Sequence, residues 1–248
     1  MNVEKINPYD GEREKGEQVE EMFDSIAPAY DFMNTAMTMG LHRKWRDKAL
    51  KAGLALIDRT GALNLLDVAT GTGDVAFRLH KLCPNSKITG IDISDGMLAI
   101  AREKLTKLPP EEAKLLAFGK GDCLDMPFHD ATFQFITVAY GVRNFENLLC
   151  GLKEMRRVLS PGGVLCVIEL STPIGRLTGP AYRLYSKKII PFIGKIISGD
   201  SRAYSYLPES IAECPQKEEM AELMKEAGFE NVVWKSLTFG AVTYYLAK

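Results

Sequence analysis

Leu66-Asp67-Val68-Ala69-Thr70-Gly71-Thr72-Gly73-Asp74 decides how the rest of the chain is read. The apolar run LNLLDV (63–68) ends in an acid and a glycine turn follows. Val75, Ala76 and Leu79 then recur at helical spacing. A strand that passes through a tight turn into a helix opens a β–α–β unit. Gly71 and Gly73 let the backbone bend sharply and approach a ligand closely. The helix start adds N–H groups with no partner inside the helix. Alone, such a turn is weak evidence, because Gly71, Gly73 and Ala76 also satisfy the dinucleotide pattern G-x-G-x-x-G/A.

Downstream, the rhythm repeats. KITGIDI (87–93), KLLAFGK (114–120), FQFITVA (133–139) and VLCVIEL (164–170) read as further strands. Between them, Met97, Ala101 and Leu105, then Leu148, Leu152, Met155 and Leu159, read as helices, the second closed by Pro161-Gly162-Gly163. Near-continuous apolar strands alternating with helices predict a mostly parallel sheet covered on both faces, a Rossmann-like α/β fold. Upstream, Val19, Met22, Phe23 and Ile26 mark one helix, Pro28 interrupts it, and Leu41, Trp45 and Ala49 mark another, while residues 1–18 read as a frayed arm. Prolines and tyrosines break the pattern over 171–215. A helix holding Met220, Leu223 and Met224 then leads into NVVW and AVTYYLA, a terminal hairpin. The chain divides as one domain: an N-terminal helical lid (1–52), a core (63–170), an insertion (171–215), and a C-terminal helix and hairpin (216–248).

Composition narrows the class. A formal net charge of -1 gives no bulk electrostatic case for nucleic acid. Five cysteines without a C-x-x-C pair argue against a disulfide framework or structural zinc, and three scattered histidines give no metal ligand set. The polar, charged N-terminus is no secretory signal and no apolar run reaches spanning length, so the expected location is cytoplasmic.

Three strand ends in order carry the cofactor argument. Asp92 closes the second strand 21 residues after Gly71 (92 − 71), where an acid can accept hydrogen bonds from both ribose hydroxyls. Asp122 and Cys123 follow the third strand, where a carboxylate beside a free N–H can read adenine. Asp67 so close to the glycine loop, at Gly71, Thr72 and Gly73, disfavours a pyrophosphate and suits a cation. S-adenosylmethionine carries a sulfonium and an ammonium, and is the favoured cofactor. The rival is an NAD(P)-dependent oxidoreductase, whose Tyr-x-x-x-Lys spacing occurs here only at Tyr244–Lys248, in the terminal strand.

Tyr30-Asp31-Phe32-Met33-Asn34, with Thr38, His42 and Trp45, resembles the first motif of the ubiquinone/menaquinone biosynthesis C-methyltransferases, with Thr38 where serine is usual. Arg157 through Gly163, with Glu169 and Ser171, resembles the second, with Ser160 in place of a lysine, and Tyr140-Gly141-Val142-Arg143-Asn144 resembles the GxRN segment. The resemblance implies a class I S-adenosylmethionine-dependent methyltransferase that methylates a ring carbon of a prenylated hydroquinone. Demethylmenaquinol is the leading acceptor and a 2-methoxy-6-polyprenyl-benzoquinol the alternative; a catalytically silent interaction protein is a third reading. Tyr140, Arg143 and Asn144, after strand four, are the expected catalytic residues, and His42 and Trp45 the expected substrate contacts, core packing being the competing role. Met22, Met33, Met37 and Met39 supply adaptable apolar surface for a tail. The lysine-bearing apolar stretch 187–197 suits an anionic membrane surface or the wall of a tail channel, with a homodimer face or a buried helix as readings of at least equal weight.

Overall fold

The computed structural model describes residues 1–9, 11–173 and 201–248, with side chains in the last segment from residue 206 onward. The central sheet has seven strands in the order β3-β2-β1-β4-β5-β7-β6. They are β1 (Asn64–Val68), β2 (Lys87–Asp92), β3 (Leu116–Lys120), β4 (Phe133–Ala139), β5 (Leu159–Leu170), β6 (Val232–Leu237) and β7 (Val242–Ala247). The first five pair in parallel, whereas β7 runs antiparallel to both β5 and β6. The chain builds outward from β1 to β3 and then restarts at β4 on the other side of β1. That reversal opens a crevice beyond the C-terminal ends of β1 and β4.

Both faces of β1, β4, β5 and β7 are covered, which is why these strands carry apolar residues on both sides, whereas the edge strand β6 alternates half-buried and exposed positions. Leu66, Val68, Ile136 and Val138 pack on one face with helix α7 (Leu148–Val158). Leu65, Phe135, Val164 and Cys166 pack on the other with α3 (Leu41–Leu54) and α4 (Asp74–Leu82). Ahead of the sheet, α1 (Lys15–Ile26) and α2 (Tyr30–Thr38) form a third cluster, in which Met22, Ile26 and Met33 meet Met97 of α5 (Asp95–Leu105) and Tyr206 of a later helix, α8 (Ser201–Glu213). A short helix, α6 (Pro110–Ala113), precedes β3, and α9 (Glu218–Glu226) precedes β6. No described helix is long and apolar enough to cross a membrane.

Four details differ from the sequence reading. Pro28 interrupts the first helix as expected, in a 3-10 turn at Ala27–Ala29, but the chain enters a further, unforeseen helix, α2, directly after it. Residues 1–9 and 11–18 are not a frayed arm: Val3, Lys15 and Gln18 are buried, and Lys15 Nζ donates to the carbonyls of Val3 (2.6 Å) and Arg143 (3.2 Å). Leu159 opens β5 instead of closing α7. The Pro161-Gly162-Gly163 turn is an irregularity inside that strand, where the register jumps from Phe133↔Leu159 to Phe135↔Val164. The stretch 187–197 lies outside the described residues, as does most of the insertion expected at 171–215.

Candidate active site

The crevice at the ends of β1 and β4 holds two adjoining cavities of about 350 and 270 Å³. Phe23, Tyr30, Ala69, Gly71, Tyr140 and Asn144 line both and so form their junction. The backbone is sharply bent there: Ala69 (φ 51°) and Tyr140 (φ 61°) are left-handed. Between them, a Cβ on Gly141 would lie 2.8 Å from that of Ala69, so only glycine lets the two strand ends approach.

The smaller cavity gathers acids from successive strand ends. Asp92 closes β2 and is buried; its Oδ2 accepts from Gly71 N at 2.7 Å and its Oδ1 from Ser94 N at 2.9 Å. Burial pushes its carboxyl above the usual range, against those backbone hydrogen bonds. Asp122 and Cys123 line the same cavity after β3; Asp122 Oδ1 accepts from Leu124 N at 2.8 Å, and burial pushes the Cys123 thiol well up. Ile93, Met97 and Leu124 add apolar walls. Acids that retain free lone pairs beside apolar walls match the polar sugar edge and flat base of an adenosyl group.

Asp67 faces the larger cavity from the end of β1. It is buried, and its oxygens accept only hydroxyls, from Thr70 (2.6 Å) and Thr137 (2.7 Å). Among the described residues no cation pairs with it, and burial pushes its carboxyl up to about 6 despite both hydroxyls. A buried carboxylate without a counter-ion fits a cationic ligand group. Thr72 also lines this cavity, but its hydroxyl is engaged: it donates to Asp31 Oδ1 (2.6 Å) and accepts from Lys104 Nζ (3.1 Å). Lys104 in turn pairs with Asp31 (2.5 Å) and Asp74 (2.9 Å), which ties α2 to the glycine loop. Gly73 lines neither cavity. Its Cβ position is taken up by Phe77 and Phe118, so it serves the turn and the packing beneath it.

On the acceptor side, the 3-10 turn Val142–Asn144 places Arg143 and Asn144 at the larger cavity. Arg143 Nη1 donates to Glu169 Oε1 at 2.8 Å and to the Tyr140 carbonyl. Asn144 accepts from the Tyr206 hydroxyl at 3.1 Å, and its amide nitrogen donates to the Tyr140 carbonyl at 3.5 Å. Two buried polar atoms of this wall, the Tyr140 hydroxyl and Arg143 Nε, have no partner among the described residues. His42 and Trp45 line the cavity too. Trp45 Nε1 donates to Thr238 Oγ1 (2.8 Å). The Thr38 hydroxyl donates to Asn34 O and so accepts from His42 Nδ1 at 2.6 Å. Burial, with Arg46 and Arg43 nearby, pushes the imidazole down to about 4 and keeps it neutral. Met22, Met33, Met37 and Met39 all line the larger cavity with Ile26, Leu41 and Leu207.

Sequence reasoning singled out neither Tyr30 nor Tyr206 as a site residue. Tyr30 stood inside a quoted motif without a role, and Tyr206 lies in a stretch with no clear period. The pairing of Glu169 with Arg143 joins positions 26 residues apart, which no local pattern announces.

The model of the ubiE/COQ5 methyltransferase family matches residues 12–248. The chain is 43% identical to the demethylmenaquinone methyltransferase of Porphyromonas gingivalis, over 99% of this chain and 98% of that one. It is 45% identical to that of Bacteroides fragilis, over 98% and 97%. It is 41% identical to the ubiquinone/menaquinone biosynthesis C-methyltransferase UbiE of Geobacter sulfurreducens, over 94% and 88%. Among solved structures, a SAM-dependent methyltransferase of Thermotoga maritima superposes with TM-score 0.61 at 20% identity, over 92% of this chain and 98% of that one. Phosphoethanolamine N-methyltransferase 2 of Haemonchus contortus gives 0.59 at 15%, over 81% and 52%. At those identities the superpositions speak for the fold alone.

Proposed function

The chain belongs to the ubiE/COQ5 methyltransferase family, and from that premise we propose that it methylates a ring carbon of demethylmenaquinol to give menaquinol. The cofactor is S-adenosylmethionine, which supplies an electrophilic methyl group when bound. The oxidoreductase reading falls with the family. The relatives named for demethylmenaquinone outrank the benzoquinol alternative.

The observation that carries the acceptor assignment is the pair of buried polar atoms, Tyr140 hydroxyl and Arg143 Nε, that have no partner among the described residues and stand in the wall of a methionine-rich apolar cavity. An apolar cavity houses a prenyl tail, and two polar groups at its inner end suit a ring that carries hydroxyls. Asp92 and Asp122 would hold the sugar and base of the cofactor, Gly71 the close backbone approach, and Asp67 the cationic end. Arg143 keeps its charge at any working pH, so it does not act as the base; it stabilises negative charge as a phenolic oxygen loses its proton. The Asn144 amide steadies the same oxygen. With its proton passed to solvent water, the phenolate would raise electron density on the ortho carbon; that carbon would take the methyl group as the methyl–sulfur bond breaks and S-adenosylhomocysteine leaves, and loss of the displaced ring proton to water would restore the aromatic ring.

The reduced ring is therefore the required acceptor, because a quinone carbon is too electron-poor to attack. We expect methyl transfer to a short-chain demethylmenaquinone analogue under strict reduction by dithionite, and none to the verified oxidised form, read by mass spectrometry. Equal rates on both forms would refute the mechanism. Methylation of the benzoquinol but not the naphthoquinol would overturn the acceptor.

Asp67 adds a pH dependence. Its folded carboxyl titrates near 6, above the usual 3.8, so burying the charge costs stability above that pH and protonation removes the cost below it. A cationic ligand needs the ionised form. Cofactor affinity should hold near neutrality and weaken by up to about tenfold per pH unit below 6, by the linkage of one proton to binding. His42, already neutral, does not titrate in that window. Calorimetry between pH 5 and 7 measures this, and Asp67→Asn should flatten the profile; a profile unchanged by that substitution would remove Asp67 from the site.

A further inference from the structure

Helix α2 is apolar on two opposite faces. Tyr30, Met33 and Met37 line the larger cavity. On the far side, at helical spacing, stand Phe32 and Ala36, and just past the helix end stands Met39, which also touches the cavity wall; Phe32 is 64% and Met39 85% exposed. The polar groups of α2 are bonded within the protein. Thr35 and Thr38 donate to the carbonyls of Asp31 and Asn34, Asn34 bonds the Tyr30 side chain, and Asp31 is held by Thr72 and Lys104. A helix with two apolar faces whose polar groups are already bonded is suited to an apolar environment on its second side as well as its first. A second element at the cavity, the turn Thr238–Gly240, tied to α3 through Thr238 and Trp45, carries Phe239, 84% exposed on a left-handed backbone (φ 56°). The cavity wall includes Met39 as well as Thr238 and Ala241, the latter two flanking the turn residues that hold Phe239.

Charge favours one partner for this surface. Arg43 and Lys44, in the first turn of α3 beside Met39, are exposed and form no ion pair among the described residues. The neighbouring acids are already taken: Asp31 and Asp74 by Lys104 and Arg46, and Asp47 by Arg78 and Lys51. Protruding apolar side chains backed by unpaired cations match the acyl layer and anionic headgroups of a lipid surface.

We propose that the outer face of α2 and the Thr238–Gly240 turn form a bilayer-contact surface, with Phe32, Met39 and Phe239 entering the acyl layer and Arg43 and Lys44 at the headgroups. The mouth of the larger cavity then opens onto the bilayer, and the tail of a lipid-resident acceptor slides in without crossing water. The inference rests on the prenylated acceptor assigned above.

The test pairs vesicle binding with turnover, in the double variant Phe32→Gln/Phe239→Asn, which touches neither cavity. The full chain should co-sediment with phosphatidylcholine vesicles, and more strongly when phosphatidylglycerol is included. The variant should bind at least about tenfold more weakly, since each buried phenyl ring contributes on the scale of that factor. Arg43→Gln/Lys44→Gln should remove most of the preference for phosphatidylglycerol. Turnover on a water-soluble short-chain acceptor should match wild type in Phe32→Gln/Phe239→Asn, while turnover on a long-chain acceptor embedded in vesicles should drop by a comparable factor. Vesicle binding unaltered by the aromatic substitutions, or no vesicle binding by the wild-type chain, would overturn the surface. So would sedimentation velocity showing a wild-type dimer that the aromatic variant splits, because the face would then join two copies. Failure of the wild-type chain to methylate the short-chain acceptor would instead strike the acceptor assignment and leave the vesicle result to stand by itself.

Discussion

Arg143→Ala is expected to lower turnover on the reduced naphthoquinol by roughly 10²–10³-fold, the scale lost with one preorganised donor at developing negative charge. The guanidinium is buried in the wall of the larger cavity, and its Nε has no partner among the described residues. Cofactor affinity should barely move, because Asp92 and Asp122 lie in the adjoining cavity. Arg143→Lys should recover only part of the loss, since an ammonium lacks the planar fork. Steady-state rates beside calorimetric cofactor binding decide the matter. A folded Arg143→Ala protein that turns over normally would leave Arg143 a scaffold residue and direct attention to the Tyr140 hydroxyl.

Glu169→Ala should be costly in a different currency. The carboxylate is buried and accepts from Arg143 Nη1 (2.8 Å), Leu170 N (2.8 Å) and Arg143 N (3.4 Å). Removing it strands a buried guanidinium, which costs about 3–5 kcal/mol. Urea denaturation should read that loss, and the melting temperature should fall by roughly 2–4 °C for each kcal/mol. The double variant Arg143→Met/Glu169→Gln removes both charges together. It should regain most of the stability and none of the turnover, which separates the scaffold role of the pair from the chemical role of its cation. A double variant as inactive and as unstable as Glu169→Ala would show instead that the pair holds the 3-10 turn in shape. Recovery of turnover together with stability would make the pair purely structural.

The sheet was legible because its signals are local. Apolar runs ending at Asp67, Asp92 and Lys120 need only a few neighbours to be recognised, and FQFITVA coincides with β4 at both ends. Where local cues conflict, the reading slipped. Pro28 is a helix breaker by its chemistry, yet its first-turn position in a 3-10 turn lets α2 start at once. Pro161-Gly162-Gly163 has turn composition, but β4 captures Leu159 ahead of it, and the turn becomes an irregularity within a strand. Asp92 and Asp122, which line the smaller cavity, could be singled out because each stands at or just after a strand end. The acceptor side depends on contacts across the fold, such as Tyr206 with Asn144, 62 residues apart, and α2 against the glycine loop. Motif resemblance pointed to those segments without showing what their side chains touch.

The bent backbone at the two strand ends also sets how freely its neighbouring positions can drift. Alanine in the left-handed region at position 69 costs roughly 1–2 kcal/mol of local strain. Glycine would relieve that strain but add back about 0.5–1 kcal/mol through the looser unfolded chain. The relief is at least as large as the loss, so position 69 can exchange alanine for glycine at no net cost to the fold. Position 141 has no such latitude, since any side chain there would strike Ala69 and Val138. Two adjoining residues in one crevice therefore tolerate mutation very differently, and it is the space around 141, more than the torsion at 69, that keeps the mouth of the sheet from changing shape over generations.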